Sequence, residues 1–265
     1  MTTDPSPFRD HGDDRYFSPE GYRGILERAL AAGYRLTSFR DFPGTDGGPV
    51  LLLRHDMDHD LESALALAEI EASVDASATY FIQVACEFYN LLAPAGRAVI
   101  RALVEAGHEI GLHYVAGRYV GPDAQRNLAA DVRLLEDLSG QPVVSAAQHI
   151  PIDGEMADIS SRIRNDAYAP RFTEGAMTYI SDSLMAWRQA TPHDLIDVGR
   201  SFQLLTHPEC WAGHGRSMPE VFAVLEAAEI TATRRRFATT LDHYATLLRE
   251  RTERDRRFRE SRSRS

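Results

Sequence analysis

Leu51-Leu52-Leu53-Arg54-His55-Asp56-Met57-Asp58-His59-Asp60 joins an apolar run of strand length to three carboxylates and two imidazoles. Side chains on a strand alternate between its faces, so Arg54, Asp56 and Asp58 share one face while His55 and Met57 point to the other. Two carboxylates side by side at the C-terminal end of a strand repel each other unless a cation or a shared proton compensates, which asks for a metal ion or an acid/base pair. An isolated Asp-x-Asp also reads as a polar loop cap with solvated aspartates, and the rest of the chain has to decide between the two. Asp60, just past the strand, reads as the N-terminal cap of the next helix.

The composition limits the chemistry. A chain of 265 residues, 43% hydrophobic and 26% charged, can bury a full core and fits one large α/β domain or two small ones, of which the single domain is the expectation. The net charge of -10 argues against nucleic acid or an anionic membrane as partner and for a small or neutral substrate, since both of those polyanions reward basic faces. No apolar run approaches the roughly 20 residues of a membrane span and no charged segment with an apolar core opens the chain, so a cytoplasmic location is expected. Cys86 and Cys210 are too few and too distant for a disulfide framework or a zinc ribbon and read as buried thiols. The sequence contains no lysine. A P-loop lysine, a Schiff base and a Ser-Lys dyad are thereby excluded together, and neither a Gly-x-Ser-x-Gly elbow nor a Gly-x-Gly-x-x-Gly turn is present. Histidine and carboxylate chemistry remains.

Working outward from the central stretch, strand and helix signals alternate. Residues 1–16 lack apolar periodicity and read as a loosely held arm. Ser18 as cap and Pro19 in the first helical position open a helix through Ala32 that buries Tyr22, Ile25, Leu26 and Leu30 and stops at Gly33. Residues 34–39 are extended, and a Gly/Pro/Asp-rich segment, 41–49, delivers the chain into a strand at 50–54. A helix ending near Val74, a strand at 78–84, a helix at 94–106, a strand at 108–113, a helix at 122–138 and a strand at 143–147 follow. This alternation predicts a parallel sheet, closed or nearly closed by helices, with functional residues at the strands' C-terminal ends. His113 and His149 stand at such ends, as do Asp56 and Asp58.

The second half is less regular. Residues 151–176 read as a long loop that has room for one helical turn, 177–180 and 201–206 as strands, and the latter runs into His207. Helices are expected at 218–228 and 233–251, the second with Phe237, Leu241, Tyr244 and Leu248 on one side. Residues 251–265 read as a charged, solvated helix end. The expected organisation is an arm at 1–16, a single barrel domain at 17–250 and a tail at 251–265.

Four pieces of the sequence together resemble the ordered motifs of the polysaccharide deacetylase family, in its divergent branch with Asp-x-Asp in place of Asp-Asp. They are Arg54-His55-Asp56-Met57-Asp58, Gly107-His108-Glu109-Ile110-Gly111-Leu112-His113-Tyr114, Tyr179-Ile180-Ser181-Asp182-Ser183 and Leu204-Leu205-Thr206-His207-Pro208. The resemblance spans roughly residues 50–212, and it implies a distorted (β/α) barrel and metal-dependent hydrolysis of an acyl group. It further implies Asp56 as general base, Asp58 and His113 as metal ligands, His207 as the acid for the leaving group and Asp182 as the residue that orients a catalytic partner. One position departs from the pattern. Where the family offers a second ligand histidine, four residues after the first, this chain has Gly117; His149, placed at the end of the next strand, is the candidate replacement.

The residue chemistry is coherent beside that resemblance. Asp and His donors suit zinc and similar divalent ions, and three protein ligands leave a position open for water, whose pKa such an ion lowers from about 16 toward about 7. Asp56 and His207 would then serve as base and acid. The expected activity is deacetylase-type amide hydrolysis on an N-acylated small molecule or amino sugar, with Zn2+ as cofactor and neither nucleic acid nor membrane as partner. A non-sugar amide such as a formamide or ureide, and a degenerate barrel that only binds carbohydrate, are the alternatives. His55, Met57 and His108 face away from the carboxylates and read as packing residues; Trp187, Trp211 and Tyr114 could line a sugar-sized pocket or belong to the core, and His214 lies in a Gly-rich loop.

Overall fold

The structure, a computed structural model, describes residues 17–150, 157–188, 190–213, 215 and 217–262. Eight parallel strands form one sheet: β1 (Arg35–Thr37), β2 (Val50–Met57), β3 (Thr79–Gln83), β4 (Glu109–Tyr114), β5 (Ser145–Gln148), β6 (Asn165–Asp166), β7 (Met177–Ser181) and β8 (Ser201–Thr206). Their spatial order is β6-β5-β4-β3-β2-β8-β7, with β1 also paired to β2. β1 takes the first part of β2, at Val50 to Leu52, and β3 takes the part from Arg54 to Met57, while β8 lies along Leu51 to His55. Among the described residues no ladder joins β6 to β7, so the (β/α) barrel is distorted and open.

Helix α1 (Pro19–Ala31) precedes β1, and α2 (Ser63–Ala72), α3 (Pro94–Glu105) and α4 (Ala124–Ser139) make the crossovers from β2 to β5, followed by the short α5 (Pro170–Thr173), α6 (Pro192–Asp197) and α7 (Pro208–Trp211) and the long α8 (Met218–Arg262). α1 starts where its sequence says it should: the Ser18 hydroxyl accepts the Gly21 N–H at 3.0 Å. It buries Tyr22, Ile25, Leu26 and Ala29. Leu30, expected inward, is 40% exposed, because the positions i, i+3, i+4 and i+7 already complete the buried stripe and Leu30 falls at its edge.

All eight residues of β2 are buried, and the strand continues to Met57 past the boundary at residue 54 read from the sequence. The charged residues stay in the strand because Arg54 and Asp56 neutralise each other while the ladder to β3 runs on through Met57↔Ile82. Leu52, Phe81, Phe39, Ala147, Phe172 and Met177 fill the barrel interior, beneath Arg54 and Asp56 on the same face of β2. A side-chain-filled interior with polar residues above it is the layered arrangement of parallel barrels. Gly111 permits it locally. A Cβ there would stand 2.5 Å from the Phe81 ring, so the ring covers β4 only because position 111 has no side chain.

The opposite face of β2 packs on helices. His55 Nε2 lies 2.6 Å from Glu71 Oε1, and Tyr22 and Tyr80 donate their hydroxyls to the same carboxylate at 2.5 and 2.8 Å. Burial by itself would raise the Glu71 pKa, but the His55 charge and these hydrogen bonds hold it below its ordinary value. His108 belongs to this buried network, 3.6 Å from Glu71. Asp60 accepts the Glu62 and Ser63 N–H groups at 3.0 and 3.1 Å just before α2, as expected of a helix-capping carboxylate.

Four short elements lie where the sequence showed at most a loop with one helical turn. β6 and α5 fall in the stretch 157–176, α6 precedes β8, and α7 follows it; each has six residues or fewer, too short to display a period. Cys210 is buried and Cys86 half-buried, and both are free thiols. The two C-terminal helices expected at 218–228 and 233–251 are one helix of 45 residues, since neither Gly nor Pro interrupts Glu229-Ile230-Thr231-Ala232. The chain divides into two compact units, one ending at Val221 and one beginning at Phe222; α8 crosses this junction and continues past residue 250. No helix among the described residues is long and apolar enough to cross a membrane.

Candidate metal centre

Asp58 follows β2 directly, His113 is the fifth residue of β4, and His149 follows β5 directly. The sheet brings these ends together. One ligand atom from each of the three lies within 4.8 Å of the others. His113 Nε2 and His149 Nδ1 are each 3.0 Å from Asp58 Oδ1, and the two ring nitrogens are 3.2 Å apart.

The donor set fits a divalent cation on its own chemistry. His113 Nδ1 lies 2.9 Å from the Ala147 carbonyl oxygen, which can only accept, so that nitrogen carries the proton and Nε2 presents a lone pair. Two ring nitrogens facing one carboxylate oxygen at 3.0 Å place lone pairs against each other unless a cation or a proton lies between them. Burial would raise the Asp58 pKa, yet the neighbouring His113 and His149 hold it far below the carboxylate range. Gln83, at the end of β3, donates its amide to Asp58 Oδ1 at 3.1 Å and fixes that oxygen. Among the described residues, the side chains are 1% exposed at His113, 8% at Asp58 and 23% at His149, so the cluster is most open at His149.

Gly117 lies in a single 3-10 turn, Ala116–Tyr119. The turn is clamped to α4: Arg118 binds Asp131 through two nitrogens at 2.6 and 2.8 Å, and the Tyr119 hydroxyl donates to the same carboxylate at 2.6 Å. A Cβ at position 117 would meet nothing within 4 Å. Glycine is therefore not there to relieve a clash, and the third member of the candidate cluster, His149, stands at the end of β5.

Asp56 flanks the cluster on one side. Arg54 Nε and Nη2 bind its two oxygens at 2.8 and 2.7 Å, and the guanidinium is completed by Gln203 Oε1 at 3.1 Å and the Tyr168 hydroxyl at 3.0 Å. The Tyr168 ring also stacks on it, 4.6 Å from centroid to Cζ. Burial pushes the Asp56 pKa up, but Arg54 outweighs it and keeps the carboxyl ionised below its usual range. Asp56 Oδ2 lies 3.6 Å from His113 Nε2.

His207 flanks the cluster on the other side, its Nε2 3.5 Å from Asp58 Oδ2. Behind it stands Asp182, fully buried. Asp182 Oδ1 lies 2.6 Å from His207 Nδ1, and Oδ2 accepts the His207 backbone N–H at 2.8 Å and the Trp211 indole N–H at 2.7 Å. Burial opposes a charged imidazole, but the Asp182 charge and hydrogen bond, with help from Asp58, raise the His207 pKa to about 10. The ring is an imidazolium at neutral pH.

The six residues read from the sequence as a site thus converge on one rim of the barrel. Trp211 and Tyr114 are core residues, 0% and 1% exposed; Trp187 stacks on Phe17 with centroids 5.7 Å apart; His214 lies outside the described residues. Sequence reasoning put Arg54 on the carboxylate face without giving it a partner, and it passed over Gln83, Gln203 and Tyr168. Gln83 and Gln203 had a signal, since both sit on expected strands in phase with site residues. Tyr168 had none, because its segment showed no regular pattern. A further pair, His59 Nδ1 and Glu209 Oε1 at 2.8 Å, ties the end of β2 to α7.

Fold and site together define an open, all-parallel (β/α) barrel with an Asp-His-His cluster at its C-terminal rim, between a clamped carboxylate and an imidazolium. No family model matches the chain, and no curated protein does. Among solved structures it is similar to a family 4 carbohydrate esterase from Bacillus anthracis, at 13% identity over 79% of this chain and 85% of the other, TM-score 0.41. It is also similar to a polysaccharide deacetylase from Bacillus cereus, at 16% identity over 69% and 89% of the two chains, TM-score 0.42. A pseudoenzyme of the same esterase family from Bacillus anthracis matches at 13% identity over 70% and 63%, TM-score 0.41.

Proposed function

We propose that the protein is a metal-dependent hydrolase that removes an acyl group from the nitrogen of an amino sugar or another small N-acylated molecule. The observation that carries this reading is the pairing of Asp58, His113 and His149 with an ionised carboxylate on one side and a protonated imidazole on the other. Asp58 Oδ1, His113 Nε2 and His149 Nδ1 would hold the ion. When bound, a divalent cation supplies Lewis-acid polarisation of the acyl carbonyl and makes water more acidic.

The chain's own residues supply the proton traffic. Asp56, ionised and held at both oxygens by Arg54, accepts a proton from the attacking water; the clamp makes it a weak base but fixes its direction. His207, cationic and aimed by Asp182, donates a proton from Nε2 to the departing nitrogen, which otherwise leaves as an unfavourable amide anion. Asp182 is held in place by the His207 ring, the His207 backbone N–H and the Trp211 indole N–H, and so fixes the direction of the His207 ring.

The test is acetate release from N-acetylated sugars by protein reconstituted with Zn2+, set against the same protein after chelation. Metal-dependent release supports the reading. Stoichiometric metal binding with turnover only of formamides or ureides would move the substrate to non-sugar amides; stoichiometric binding with no turnover of either class would leave a carbohydrate-binding barrel.

A further inference from the structure

The second compact unit presents a seam that the proposed hydrolase site does not use. Along α8, Ile230, Arg234, Phe237, Leu241, Tyr244, Leu248 and Arg251 follow one another at steps of four and three residues. That spacing is the a/d repeat of a coiled coil, sustained over three heptads and continued by Asp255. Its apolar members face solvent: Phe237 is 74% exposed, Leu241 69%, Tyr244 64% and Leu248 65%. The positions flanking the central seam are small or neutral, namely Thr231, Ala238 and Ala245 on one side and Thr233, Thr240 and Leu247 on the other. Charge is gathered on the back of the helix, at Arg235, Arg236, Asp242, Arg249 and Glu250. Large apolar side chains in one narrow stripe mark a contact surface, and a long helix gains most of its stability from packing such a stripe.

We propose that α8 pairs along this seam with α8 of a second copy of the chain, antiparallel and centred at Thr239. Charge selects both the partner and the register. A parallel pair stacks Arg234 on Arg234 and Arg251 on Arg251. An antiparallel pair centred between Leu241 and Tyr244 sets Arg234 on Arg251, and a shift of one heptad toward the C-terminus sets Asp255 on Phe237. Centring at Thr239 avoids all three. It places Phe237 against the partner's Leu241, Ile230 against the partner's Leu248, and the Arg234 guanidinium over the partner's Tyr244 ring. Arg251 then meets the partner's Ala227, next to the partner's Glu226. The seam is self-complementary under a two-fold axis, as a dimer of identical subunits requires.

Light scattering on the full chain tests this without reference to any activity. The expected mass at about 100 μM is twice the 29.6 kDa of one chain, falling to a monomer in the double variant Phe237→Asp/Leu241→Asp and unchanged in Arg249→Glu on the helix's back. Both seam positions are exposed, and metal stoichiometry together with circular dichroism shows that the variant's barrel is intact. The orientation is read from charge reversal. Arg251→Glu should weaken the dimer about two- to fivefold, and Arg251→Glu/Glu226→Arg should restore it. A wild-type monomer, whether the stripe awaits another protein or folds on its own chain, would overturn the proposal, as would a dimer indifferent to the seam variant. A seam-dependent dimer in which Glu226→Arg fails to rescue Arg251→Glu would overturn the antiparallel register.

Discussion

His207 Nδ1 and Asp182 Oδ1 lie 2.6 Å apart, with the carboxylate fully buried and the imidazole facing Asp58. The pair converts a histidine, ordinarily half-protonated near pH 6.5, into a group that keeps its proton to about 10. The sign follows from linkage. A folded-state pKa raised above the unfolded one contributes stability that is fully present below about 6.5 and is lost as the pH rises through about 10. In metal-free protein the His207 ring should therefore stay protonated through pH 8 by NMR titration, and Asp182→Asn should bring its pKa back toward 6.5. A wild-type ring that titrates near 6.5 would remove the acid from the proposed reaction. In the loaded enzyme, Asp182→Asn should move the alkaline fall of kcat to lower pH.

In the proposed site His149 supplies the ligand that Gly117 does not provide. His149→Ala should lower metal affinity by more than about 100-fold, beyond the 10- to 100-fold typical of losing a supporting hydrogen bond to a ligand. Competition with a chelating dye measures it. Unchanged affinity together with a raised KM would assign His149 to substrate contact instead. Asp58→Asn, which removes the only carboxylate of the set, should abolish stoichiometric metal.

Asp56 and His207 should act on protons and leave the metal in place. Asp56→Asn and His207→Ala are expected to retain stoichiometric metal while losing about 10²- to 10⁴-fold in kcat. Loss of metal in either variant would make it a ligand.

Arg54 is completely buried against Asp56. Arg54→Met leaves a carboxylate inside the barrel without its cation and should destabilise the protein by about 3–5 kcal/mol in denaturant titrations. Asp56→Leu in the same background should recover much of that loss, because removing both charges also removes the uncompensated one. Equal stability of the wild type and Arg54→Met would mean that the pair contributes nothing to folding.

Gly111 has the Phe81 ring where its Cβ would be. Gly111→Ala should cost about 1–3 kcal/mol by overpacking, with Phe81→Leu relieving it in the double variant. Thermal unfolding of the three variants decides the point.

Read alone, the sequence determined the alternation of strand and helix, the parallel sheet, and the placement of Asp56, Asp58, His113, His149 and His207 at strand ends. These are properties of short-range periodicity: alternation along β2 separates Asp56 from His55 whatever surrounds the strand. Its reading of β8 as residues 201–206 coincides with the structure. It stopped β2 three residues early, since a local reading counts Arg54 and Asp56 as polar and takes no account of their pairing. Only the tertiary structure decided that β5 ends beside β4, so that His149 reaches within 3.0 Å of Asp58 across 91 positions of sequence. Only it showed Arg54 gripping Asp56, Asp182 behind His207, and Phe237, Leu241 and Tyr244 facing solvent on a helix whose pattern alone would equally have fitted a buried face. Distances between residues far apart in the chain, and the pKa values that depend on them, are set by how the sheet curls and what packs against it, and no local pattern encodes either.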